Sequence, residues 1–135
     1  MKKEIEIIAG AIGGSLVSIF GGWDVFIKVL ILFMLFDELT GVAAAYYGKS
    51  REGYISSQVF RKGIIKKLCT LVLIAVAEGC DVLLGTDYIR NAVTTAFCAS
   101  EGLSILENTG ALGIQYPKKL KDAIEILRKD NGKEK

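Results

Sequence analysis

Carboxylates are the residues of this chain best suited to chemistry. Asp37 and Glu38 are adjacent in the stretch FIKVLILFMLFDELTG and interrupt an apolar run that starts at Val29. Glu78 and Asp81 stand three apart, so on a helix they share a face. Glu101 belongs to a polar stripe at helical spacing with Asn91, Thr94 or Thr95, Cys98 and Asn108. Grouped acids serve acid–base catalysis, relay protons or cations, line an aqueous path, or form structural ion pairs. Catalysis is disfavoured, because the chain has no histidine, no nucleophile elbow and no metal box. Cys69, Cys80 and Cys98 all lie in apolar blocks and form no CxxC pair, so they read as small buried hydrophobes. No cofactor or metal is expected. Ion pairing with Lys28 or Arg90, a relay, and the lumen of a homo-oligomer remain open.

The elements that must position these acids are strongly apolar. Half of the 135 residues are hydrophobic and nearly a quarter are charged, with the two kinds segregated into blocks. Net charge is +2, so the placement of charge says more than its total. A membrane-crossing helix needs roughly 20 mostly apolar residues. Segments at about 7–23, 25–47, 68–84 and 88–113 are candidates. The joints GGWD and GTD between paired segments read as tight turns of two helical hairpins. The spacing therefore predicts an all-α integral membrane protein of three to four transmembrane helices over residues 1–113. A charge at the bilayer centre costs at least about 2.5–3.5 kcal/mol, so the acids must face protein, cations or water.

Basic residues set the orientation. The connector 48–67 carries Lys49, Arg51, Arg61, Lys62, Lys66 and Lys67, and the tail 114–135 carries Lys118, Lys119 and Lys121 among others. The two tight turns hold no lysine or arginine. Basic loops stay cytoplasmic, which places connector and C-terminus inside and leaves the side of the N-terminus open. In the tail, Leu120, Ile124 and Leu127 repeat at helical spacing, which predicts an amphipathic helix able to lie on an anionic leaflet or pack on a partner tail. Gly10, Gly14, Ser18 and Gly22 recur every four residues, as do Asp37, Gly41 and Ala45. Such small-residue stripes let helix backbones approach closely, within or between chains.

Three blocks carry a family resemblance. GWDVFIKVLILFMLFDELTG has a tryptophan–aspartate turn, an apolar run and D-x-x-T-G. SSQVFRKGIIKKL is a basic connector. SEGLSILENTGALGIQYPKKLKDAIEIL contains E-G-x-S-I-x-E-N, then a glycine, a proline and a basic amphipathic helix. Together they resemble the lysis and toxin-secretion holins of bacteriophages and Gram-positive systems. The resemblance implies a non-enzymatic protein of the bacterial cytoplasmic membrane. Such proteins self-associate and open a lesion that passes endolysin or a large toxin to the wall, with no nucleic-acid partner. It assigns Asp37, Thr40 and Gly41 to D-x-x-T-G, and Glu101, Ser104, Glu107 and Asn108 to the second motif, as residues of the pore or assembled state. Glu78, Asp81 and Arg90 join them as further polar candidates. Glu38 departs from the family pattern, which has an apolar or aromatic residue there. A small ion-coupled transporter or channel using the intramembrane carboxylates is the alternative, although the two hairpins show no convincing repeat.

Overall fold

The computed structural model describes all residues except Arg51, Glu52, Tyr54 and 131–135; the basic site assigned to Arg51 lies outside the described residues. The described residues form five α-helices and no strand, in agreement with the all-α expectation. They are α1 (Lys2–Ile19), α2 (Val25–Tyr46), α3 (Ser57–Leu84), α4 (Ile89–Ala111) and α5 (Lys118–Asp130).

Local chemistry fixes the boundaries. Asp24 caps α2 by accepting from the Ile27 N–H, and Ser56 caps α3 by accepting from the Val59 N–H. Gly85 ends α3 in the left-handed conformation, which a residue without Cβ adopts freely. The cap at Ser56 starts α3 well inside the stretch expected as a connecting loop. Arg61, Lys62, Lys66 and Lys67 are therefore helical.

Helix α4 lies at the centre and packs on α2, α3 and α5. The main core joins Ile27, Leu30, Met34, Ile74 and Cys98, with Phe33, Leu71, Val93 and Phe97 around it. A second, smaller cluster joins Ala99 and Leu106 of α4 to Ile124 of α5. Helix α1 has no buried residue and touches little beyond α3.

No described helix is long and apolar enough to cross a membrane, against the expectation of three or four spanning helices. Charge interrupts the three helices of the core bundle. Helix α2 carries Lys28, Asp37 and Glu38; α3 carries Lys67, Glu78 and Asp81; α4 carries Arg90, Glu101 and Glu107.

Candidate functional site

The polar residues picked out in the sequence fall into two groups at different heights. The first lies midway along the bundle. Lys67 of α3 turns inward, 16% exposed, and its Nζ donates to Asp37 Oδ2 of α2 at 2.7 Å and to Glu101 Oε2 of α4 at 3.1 Å. Glu38 Oε2 stands 3.7 Å from the same nitrogen. One cation thus ties three helices together through three carboxylates, leaving an excess of negative charge in a largely buried layer. Asn108 Nδ2 donates to the Asp37 carboxylate at 3.2 Å and to Thr40 Oγ1 at 3.2 Å. Thr40 in turn donates to the Phe36 carbonyl at 2.8 Å.

The D-x-x-T-G residues and the motif on α4 therefore meet each other within one chain. Gly41 lies at this meeting, where a Cβ would stand in ordinary contact, 3.5 Å from Asn108 Nδ2. Ala44 and Ala45 are buried one turn further on. Ser104 is half-buried and Glu107 is exposed on the later turns of α4.

Two expectations are corrected here. The partner of Asp37, Glu38 and Glu101 is Lys67, not Lys28, which is exposed, or Arg90, which is engaged elsewhere. Lys67 is accordingly not a surface cation like Lys49, Arg61, Lys62, Lys66, Lys118, Lys119 and Lys121, all of which are exposed. The signal available in the sequence was its place as the last base before the apolar run of α3.

The second group closes the opposite end. Arg90 is buried; its guanidinium grips both oxygens of Asp24, donates to the Phe20 carbonyl at 2.9 Å, and reaches Asn91 Oδ1 at 2.9 Å. The Arg90 guanidinium holds the Asp24 carboxyl below its ordinary range. Asp81 is buried and reaches across the second turn to accept from Thr86 Oγ1 and from the Ile89 and Arg90 N–H groups. It thereby satisfies donors at the start of α4, whose own first residues offer no side-chain cap. Glu78 is half-buried against the backbone of Gly21 in the first turn, where φ is +77° and a Cβ would collide with the carboxylate. Asp81 and Glu78 thus lie apart from the Lys67 layer. Asp24 was not among the expected site residues, although an aspartate directly before an apolar helix is a cap signature.

The small-residue stripes also divide. Gly41 and Ala45 pack inside the chain. A Cβ at Gly10, Gly14 or Gly22 would meet nothing within 4 Å, and the Ser18 hydroxyl bonds only to the Ser15 carbonyl of its own helix. Gly102, which the sequence reading passed over, is the tightest glycine contact of α4. A Cβ there would stand 3.1 Å from Ile124 Cδ1 and 3.4 Å from the Phe33 ring.

Among the described residues, no group of histidine, cysteine or carboxylate side chains is arranged to hold a metal ion. The geometry offers paired charges and no activated nucleophile.

Known proteins give the arrangement a context. The sequence matches the bacteriophage holin family over residues 14–129. It is 39% identical over 134 residues to an uncharacterized protein of Listeria innocua, covering 97% of this chain and 93% of that one. It is 40% identical over 119 residues to an uncharacterized 14.9 kDa protein of Clostridium perfringens, covering 87% of each. A probable holin of Bacillus phage phi105 is 27% identical over 107 residues, covering 78% of this chain and 76% of the other. No solved structure matches the chain. With the match spanning most of its length, including the D-x-x-T-G and E-G-x-S-I-x-E-N residues that meet around Lys67, the chain belongs to the bacteriophage holin family.

Proposed function

We propose that the protein acts as a holin in the bacterial cytoplasmic membrane. The bundle inserts, self-associates, and opens a lesion through which endolysin or a large toxin reaches the wall. Family membership already makes it a lysis protein rather than an enzyme.

The observation that carries the membrane reading is an apolar outer surface around a bundle that also buries charges. Beside the apolar core, Asp81, Arg90 and Thr94 are buried, and Lys67, Asp37 and Glu101 nearly so. Apolar side chains are outside: Ile31, Leu35, Phe36, Val72, Leu73 and Val76 all stand exposed on α2 and α3. A water-soluble domain seldom exposes a contiguous apolar surface of this kind, and lipid is the solvent that rewards it. Each helix alone carries charges too costly for hydrocarbon. Within the bundle Lys67 pairs with Asp37, Glu38 and Glu101, and Arg90 with Asp24, which shields these charges from lipid, so the unit that enters the bilayer is the assembled bundle and not its separate helices.

The basic ends of α3 and α5 favour an orientation with Lys49, Arg61, Lys62 and the tail on the cytoplasmic side. The turns at Asp24 and Thr86 then face outward. Helix α1, apolar and with few contacts in its own chain, supports self-association through the open Gly10–Gly14 side.

Induced expression in a bacterial host, with and without a co-expressed endolysin, tests the reading. The protein is expected in the membrane fraction, with loss of membrane potential in both cultures and lysis only where endolysin is present. Recovery in the aqueous fraction with potential intact would overturn it.

A further inference from the structure

We propose that the notch between Lys62 and Lys66 on the outside of α3 binds the phosphate of an anionic phospholipid, whose acyl chain lies along Cys69, Leu73 and Val76. The inference rests on the membrane reading above and adds to it a binding site and a lipid class.

Helix α3 is asymmetric along its axis. From Ser57 to Ala77 it carries Arg61, Lys62, Lys66 and Lys67 and no acid, and the stretch Leu68–Ala77 holds no charge at all. Lys67 turns inward to its carboxylates, which leaves Lys62 and Lys66 exposed on the outside. These two stand one turn apart, about 6 Å along the axis, so their ammonium groups can reach one level. Gly63 between them has no side chain, and the surface recedes there into a notch of about 360 Å³ lined by Val59, Lys62, Gly63 and Lys66, with no acid among them. Glu38 of α2 faces Gly63 from the bundle side, 3.4 Å from where a Cβ would stand, and its carboxylate lies 3.7 Å from Lys67 Nζ. Among the described residues, neither Lys62 nor Lys66 forms an ion pair.

Charge selects the headgroup, and the surface that follows it selects a lipid. Lys62, Lys66, Cys69, Leu73 and Val76 succeed one another at intervals of four, three, four and three residues, so they line up on one side of the helix. Cys69 is exposed, and Leu73 and Val76 are 52% and 56% exposed. Polarity thus changes along this line instead of around the helix: two cations, then about 15 Å of uncharged, mainly apolar surface from Lys66 to Val76. A free phosphate would use the lysines alone and leave that surface in water. A phospholipid uses both, with its phosphate between the lysines and its chain along the line below. Two cations without an acid favour a headgroup of net negative charge over a zwitterionic one. Helix α5 offers no such selection, because Asp122 and Glu125 are interspersed with its lysines.

The test reconstitutes the full chain in phosphatidylcholine vesicles carrying a trace of chain-spin-labelled phosphatidylglycerol or phosphatidylcholine, and reads the motionally restricted lipid by electron paramagnetic resonance. The restricted population is expected to favour phosphatidylglycerol by at least about threefold. Lys62→Gln with Lys66→Gln should bring that ratio close to one, whereas Lys118→Gln, Lys119→Gln and Lys121→Gln together should leave it unchanged. A parent ratio of one, or a ratio that survives the loss of Lys62 and Lys66, would overturn the site while leaving the membrane reading intact. An equal fall in the tail variant would assign the preference to net charge and also overturn it. Sodium phosphate that abolishes the preference where sodium chloride of equal ionic strength does not would assign the notch to free phosphate, with the same consequence. A chain left behind when the vesicles are floated, restricting neither lipid, would overturn the membrane reading with the site.

Discussion

Lys67 is the residue on which the charged layer depends. Removing one member of a buried pair leaves the others uncompensated, at a cost of about 3–5 kcal/mol. Lys67→Leu leaves Asp37, Glu38 and Glu101 facing one another without a cation. It is expected to lower the thermal stability of the purified protein in detergent, followed by circular dichroism. Adding Glu101→Leu should recover part of the loss, because a carboxylate goes with it; an unchanged melting temperature in the single variant would remove Lys67 from this role. At the other end, Arg90 holds the Asp24 carboxyl below its ordinary value of 3.8. A group whose folded pKa is depressed contributes stability that is present above the unfolded value and is lost as pH falls through the folded one. Asp24→Asn should therefore destabilise the protein at neutral pH and lose that difference from the parent as the pH falls through and below the ordinary value of 3.8. A constant difference across that range would break the link to the Asp24–Arg90 pair. That buried acids needed partners was legible from their apolar surroundings. Which base answered them was not, because Lys67 stands in a run of four bases between Arg61 and Lys67, and only its position on the helix turns it inward while Lys66 points out.

At the scale of elements, the tight turns and the amphipathic period of the tail were readable because each rests on local chemistry: short glycine-containing joints and apolar residues at helical spacing. The start of α3 was misjudged because bases read as loop, whereas Ser56 caps a helix that carries them on its outer side. Where α5 goes depends on tertiary shape. Its period announces one apolar face, and the notch at Gly102 decides what that face meets. Gly102→Val puts branched carbon into a gap only 3.1 Å from Ile124 Cδ1 and 3.4 Å from Phe33. It should push α5 off α4 while leaving the core around Leu30 and Ile74 folded. Limited trypsin digestion should then cut after Lys121 and Arg128 several-fold faster than in the parent. Equal digestion rates would mean that α4 accommodates the side chain without losing α5.

At the scale of the whole molecule, the polarity of the surface was visible in composition, but the burial of charges beneath an apolar surface needed the packing. No described helix reads as a clean span, and the charges at Asp37, Glu38, Lys67 and Glu101 that interrupt three of them meet one another only in the packed bundle. Orientation stays a matter of where the bases collect. With the protein in the membrane, labelling of Lys49→Cys by an impermeant thiol reagent in intact cells is expected to fail, and ready labelling would reverse the orientation.

The charged layer around Lys67, with Asp37 and Glu101, sets a height. From Ile89 to Glu101 is about 18 Å along α4 at 1.5 Å per residue, and Val25 to Asp37 on α2 covers the same rise. The hydrocarbon of a typical bilayer is about 30 Å thick. In the membrane setting proposed above, a bundle whose polar level lies so close to its far turn would be too short for its surroundings, and the lipid would dimple to meet it. Hydrophobic mismatch costs fractions of a kcal/mol per ångström and is relieved when neighbouring proteins share one deformed zone. On that reading copies would be drawn together by the bilayer's own elasticity, without a strongly adhesive contact, and would gather where the barrier is already thinnest. Energy transfer between labelled copies should rise as the lipid acyl chains are lengthened from 12 to about 20 carbons at constant headgroup. Self-association that ignores chain length would return the whole burden of assembly to helix contacts such as those of α1.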